Sequence, residues 1–100
     1  MRKNVGLHRY MSQLRRHLPE LAARFHVHSL GVFGSYVRHE ETPGSDLDIL
    51  VTFDEVPSLL TFIALENQLS DLLGVKVDLV MEDALKPQIG ERILSEVVAV

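Results

Sequence analysis

The sequence predicts an α/β (α+β) domain, a small mixed β-sheet flanked by helices, and three patterns carry that prediction. Apolar residues recur at helical spacing in two long stretches, and they alternate with polar ones in three short stretches. Gly- and Pro-containing turns separate these stretches. One hundred residues with 46% apolar content suffice for one modest core, so a single domain spanning 1–100 is expected.

Leu7, Tyr10, Met11, Leu14 and Leu18 predict an amphipathic helix over residues 5–17. Pro19, well suited to a helix start, opens a second short helix to Phe25 through Leu21 and Ala22. Val27, Ser29 and Gly31 alternate with His28, Leu30 and Val32 in a strand that runs to Phe33. Gly34-Ser35 ends it, Tyr36–Glu40 forms a short helix or turn, and Thr42-Pro43-Gly44-Ser45 is a loop. Residues 46–53 make the next strand and residues 54–57 another loop. Ser58 then caps a helix to Leu73, with Leu59, Phe62, Ile63, Leu65, Leu69, Leu72 and Leu73 as its buried stripe and Gly74 just past its end. A third strand spans residues 75–80. Pro87 opens a helix carrying Ile89, Ile93 and Leu94, and Val97-Val98-Ala99-Val100 closes with a short strand.

Composition removes several function classes. Cysteine is absent, which excludes disulfides, thiolate metal sites and Cys nucleophiles and fits a reducing, cytoplasmic location. No apolar run follows Met1–Gly6 or reaches membrane-spanning length, so neither a signal peptide nor a membrane span is expected. Residues 1–40 carry +5 and residues 41–100 carry −9. That balance argues against direct nucleic-acid binding, and the basic first third reads as a solvated helix face. His26, His28 and His39 lack the spacing and companions of a zinc set. Ser35 has no His–acid support for a nucleophilic role.

The chemistry concentrates between Phe33 and Val51. Alternation puts Asp46 and Asp48 on one face of their strand and Leu47, Ile49, Val51 and Phe53 on the other. Two carboxylates roughly 7 Å apart repel by about 2 kcal/mol at an effective dielectric near 20. A divalent cation converts that repulsion into a site, and hard oxygen ligands suit Mg²⁺ held together with phosphates. Asp78 lies on its strand opposite the apolar face and joins the pair if the two strands are neighbours. Three acids around two Mg²⁺ ions suit in-line phosphoryl or nucleotidyl transfer, with Asp78 also taking the acceptor proton. Gly34 and Ser35 face phosphates through backbone and hydroxyl, and Arg38 either reaches a phosphate or pairs with Glu41.

The stretch Leu30-Gly31-Val32-Phe33-Gly34-Ser35-Tyr36-Val37-Arg38-His39-Glu40, followed by Ser45-Asp46-Leu47-Asp48-Ile49-Leu50-Val51, resembles the signature of the minimal nucleotidyltransferases. These are small members of the polymerase-beta-like nucleotidyltransferase superfamily. Val77-Asp78-Leu79-Val80 resembles the family's third-carboxylate strand, and Leu85-Lys86-Pro87 with Ile93-Leu94-Ser95-Glu96-Val97 its usual ending. Val37 and His39 stand where many members carry a small residue and a glycine. The resemblance extends to the antitoxin half of HEPN/MNT toxin–antitoxin modules. It implies the nucleotidyltransferase fold and transfer of AMP from Mg·ATP to a tyrosine hydroxyl of a partner HEPN-domain toxin. That makes the chain the antitoxin of a type VII module and half of a hetero-oligomer. Two other readings remain: a non-catalytic antitoxin that neutralises its partner by steric binding, and nucleotide addition to RNA or a small molecule.

Overall fold

The computed structural model describes residues 5–100; residues 1–4, and with them part of the N-terminal stretch read above for a signal peptide, lie outside the described residues. Four strands make one mixed sheet in the order β3-β2-β1-β4. They are β1 (Val27–Phe33), β2 (Leu47–Phe53), β3 (Val77–Met81) and β4 (Val98–Ala99). β1 pairs antiparallel with both β2 and β4, whereas β2 and β3 run parallel. Parallel neighbours need a long crossover, and α3 (Leu59–Leu73) supplies it.

One face of the sheet carries the core. Leu47, Ile49 and Val51 of β2 are fully buried together with Val27 and Val32 of β1. They meet Met11, Leu14, Leu21 and Phe25 of α1 (Val5–Phe25) and Leu65, Leu69 and Leu73 of α3. Leu50, on the other face, is buried near Leu94 and Val97 at the end of α4 (Pro87–Glu96). A four-residue helix, α2 (Ser35–Arg38), follows β1, and a 3₁₀ turn at Glu82–Ala84 follows β3.

Three expectations are corrected. The two helices predicted on either side of Pro19 are one helix, α1. Proline deletes only one backbone donor, its ring lies on the exposed side, and the stripe Leu14, Leu18, Leu21, Phe25 continues straight through it. The strict alternation read in β1 fails at His28. A bulge between Val27 and Ser29 shifts the register, so Val27, Leu30 and Val32 are all buried in one core cluster. The α3 stripe is narrower than its sequence. Leu65, Leu69 and Leu73 are buried, but Leu59 is 73% and Ile63 41% exposed, and in the first turn of α3 Phe62 alone packs against the core. Its ends are as expected: Ser58 Oγ accepts from the Thr61 amide, and Gly74 ends the helix in the left-handed conformation.

Candidate active site

The strand register decides where the acids go. In the parallel β2–β3 ladder Asp48 is the partner of Asp78, so the two side chains leave the same face of adjacent strands with their backbones about 5 Å apart. Asp46 immediately precedes β2, where the Leu47 amide donates to the Lys76 carbonyl at 2.9 Å and begins that ladder. The strand expected over residues 46–53 thus starts one residue later, and Asp46 stands at its mouth. Lys76 Nζ lies 4.0 Å from Asp46 Oδ2, on a side chain that is 81% exposed.

β3 is an edge strand, and α3 holds it. The Val77 amide donates to Ser70 Oγ at 3.0 Å and the Leu79 amide to Glu66 Oε2 at 2.9 Å. These bonds flank Asp78 on both sides and satisfy edge donors that strand pairing leaves free. Asp78 therefore has a fixed backbone although its side chain is exposed.

Electrostatics single out Asp48. Its carboxyl is pushed up to about 6, first by burial and then by the charges of Asp78 and Asp46, with Arg38 pulling the other way. Asp46 and Asp78 therefore both act on Asp48. The three do not close around a single point as they stand: among the described residues no three carboxylate or imidazole groups form a ready metal cage. The donor set nevertheless fits a hard cation. Hard oxygens of like charge crowd a partly buried position where the pull of Arg38 is outweighed by burial and by the neighbouring acids, and a divalent ion is what relieves that arrangement.

The Gly34–Ser35 turn lies directly against this cluster. Gly34 has φ 85° and ψ −155°, a backbone conformation for glycine, and a β-carbon built on it would collide with Asp48 Oδ2. The turn and the carboxylate are thus in contact, and only glycine allows it. Ser35 then begins α2, whose last residue is Arg38. The next residue, His39, is left-handed at φ 60° and ψ 37°, a conformation that glycine adopts at less cost. Val37 remains half-buried against the core.

Arg38 does not pair with Glu41, the alternative raised by its spacing. Its Nε donates to Glu40 Oε1 at 3.1 Å, and its Nη1 donates to Glu96 Oε1 and Oε2 at 3.1 and 3.0 Å. Bonds to Glu40 and Glu96 hold the guanidinium above its ordinary value. Glu96 Oε2 also accepts from the Gly34 amide at 2.7 Å. Sequence reasoning did not assign Glu96 a role. Its only signal was a place in the closing stretch Ser95-Glu96-Val97. Tyr36 packs edge-to-face on Tyr10 with ring centroids 5.7 Å apart, and burial followed by the Tyr10 hydroxyl raises its phenol. His26 and His28 face Glu55 and Asp54 at 3.3 and 2.9 Å, away from these acids in the sequence and on exposed side chains.

The sequence model of the nucleotidyltransferase domain matches residues 14–100. Protein adenylyltransferase MntA of Thermococcus cleftensis is 56% identical over 89 residues, which make up 89% of this chain and 90% of that protein. A solved structure of a minimal nucleotidyltransferase has a TM-score of 0.75 at 37% identity and covers 100% of this chain and 97% of its own. A Shewanella oneidensis complex, in which an MNT antitoxin is bound to a tri-AMPylated HEPN toxin, shares the fold. Its TM-score is 0.60 at 18% identity, over 97% of this chain and 70% of that one. With a family match over most of its length and close relatives aligned nearly end to end, the chain belongs to the nucleotidyltransferase domain family.

Proposed function

We propose that this chain, acting as one domain over residues 1–100 in the cytoplasm, transfers AMP from ATP to a tyrosine hydroxyl of a HEPN-domain partner. In doing so it serves as the antitoxin of a type VII module. The observation that carries the reading is the contact of three elements: Asp48 in register with Asp78, and Gly34 against the Asp48 carboxylate. The likeness to an adenylyltransferase at 56% identity supports the reaction type. The shared fold with an antitoxin bound to an AMPylated HEPN toxin supports the acceptor class.

In this reading Asp46, Asp48 and Asp78 would hold Mg²⁺, two ions being expected from three acids of this type. Bound there, Mg²⁺ offsets the charge of the triphosphate and makes a neighbouring hydroxyl more acidic. Ser35 and Arg38 orient the phosphates, and Gly34 lets the turn come close to them. The acceptor oxygen forms a bond to the α-phosphorus while the bond from that phosphorus to the bridging oxygen of the β-phosphate breaks. Diphosphate leaves, and the acceptor proton passes to Asp78.

Incubation with the HEPN product of the neighbouring reading frame, Mg²⁺ and ATP labelled at either the α- or the γ-phosphate tests this. α-Label on the partner, a mass gain of one or more AMP units, and loss of both with Asp46→Asn plus Asp48→Asn are expected. γ-Label on the partner contradicts adenylyl transfer. Neutralisation of the partner that survives the double substitution supports steric binding instead, and label found on added RNA or a small molecule supports the third reading.

A further inference from the structure

We infer that Glu96 is the positioning residue of the nucleotide-phosphate side of the site, an inference that rests on the nucleotidyltransferase reading above. One carboxylate holds both halves of that side. It accepts from the Gly34 amide at 2.7 Å and takes two bonds from Arg38 Nη1 at 3.0 and 3.1 Å. It thereby ties the turn that touches Asp48 to the cation that faces Asp48.

Glu96 is the anchor of this pair and Arg38 the group being anchored. The Glu96 side chain is 25% exposed against 46% for Arg38. Its backbone is held on both sides: the Val97 amide closes α4 on the Ile93 carbonyl, and Val98 and Ala99 pair with Val32 and Gly31 of β1. Arg38, by contrast, ends a helix of only four residues. An unrestrained arginine gives up considerable rotamer freedom when it binds a ligand, and a guanidinium already fixed by carboxylates gives up less. Neither Glu40 nor Glu96 uses Nη2, so the bonds that fix Arg38 leave a donor for an oxyanion.

The same geometry assigns the turn's donors. The Gly34 amide is already committed to Glu96, so its part is to fix the turn; phosphate contact falls to Ser35 and to the outer edge of Arg38. The contribution of Gly34 lies in lacking a side chain rather than in donating a hydrogen bond.

The test is binding of Mg·AMP-PNP by calorimetry without any acceptor, on the wild type, Glu96→Ala, Glu96→Gln, Glu96→Asp, Arg38→Ala and the double variant Glu96→Ala/Arg38→Ala. Melting temperatures are recorded beside each titration. Glu96→Ala is expected to weaken binding roughly tenfold, a coupling typical of residues in one hydrogen-bonded network. Glu96→Asp should recover part of the loss. In the Arg38→Ala background Glu96→Ala should add little, because the group that it positions is gone. A purely structural residue would instead weaken binding equally in both backgrounds and in step with melting temperature. Should Glu96→Ala fail to fold, Glu96→Gln, which keeps an oxygen for the Gly34 amide, gives the same comparison. Unchanged or tighter binding by the Glu96 variants overturns the inference while leaving the nucleotide reading intact. Absence of Mg·AMP-PNP binding by the wild type overturns both.

Discussion

The two halves of the candidate site are built on opposite electrostatic terms. At the starts of β2 and β3, Asp46 and Asp78 crowd Asp48, and burial plus their charges raise Asp48 to about 6. Against it in space, the turn half is already paired: Glu96 holds the Gly34 amide and Arg38, and Glu40 also holds Arg38. The first half opposes folding in the free chain, and a cation relieves it. The second half supports folding without any ligand. The difference teaches that residues serving one reaction need not share one sign of contribution to stability. Substitutions in the acid half should free the fold while removing function, whereas those that break the Gly34–Glu96–Arg38 bonds of the turn half should harm both.

The largest effect is expected at the point where the halves touch. Gly34→Ala puts a β-carbon onto the Asp48 carboxylate in a backbone conformation reserved for glycine, so the turn or the acid must move. Strain and overpacking together should cost on the order of 3 kcal/mol. Denaturant unfolding would read that loss, and AMP transfer should vanish with it. A stable, active Gly34→Ala protein would break the claim that the turn and the acid are in contact.

A smaller effect concerns pH and the acid half alone. An unfolded Asp titrates near 3.9, whereas Asp48 in the fold titrates at about 6. Between those values the folded chain keeps a proton that the unfolded chain has lost, so the contribution of Asp48 to stability falls as pH rises from about 4 to about 6. In chelator, the melting temperature of the wild type relative to Asp48→Asn should decline across that window. Saturating Mg²⁺ should remove the deficit that the decline leaves at pH 7. A difference that is flat with pH would mean that Asp48 is not crowded.

The smallest effect sharpens the turn half. His39 holds a left-handed conformation at the end of α2 without the freedom of glycine. His39→Gly should raise stability by up to about 1 kcal/mol. AMP transfer should persist, because the His39 side chain lines a groove with Leu7, Met11 and Arg15 and is not one of the groups assigned to metal or phosphate. A loss of stability would show that its side chain does more than occupy a turn.

Much of this was legible in the residues because it depends on period-two alternation and on turn chemistry. Asp46 and Asp48 opposite Leu47, Ile49 and Val51, the Ser58 cap and the Gly74 stop all follow from local rules. The Asp48–Asp78 partnership did not, since strand adjacency and parallel register are non-local; it was conditional on β2 and β3 being neighbours. Pro19 misled because tertiary burial of a continuous stripe outweighs one missing hydrogen bond. The His28 bulge and the exposure of Leu59 and Ile63 depend on which neighbours a strand or helix meets, and no periodicity encodes that. Glu96 was illegible for the same reason: 62 positions separate it from the Gly34 amide that it holds.

The central claim meets its most direct test in Asp48→Asn, which keeps the shape of the side chain and removes its charge. The measurement is the metal-free melting temperature at pH 7 taken side by side with AMP transfer to the partner. A rise of roughly 5 °C, corresponding to about 1 kcal/mol after solvent screening of a half-buried group, is expected together with loss of transfer. A lower melting temperature, or transfer at the wild-type rate, would contradict the account.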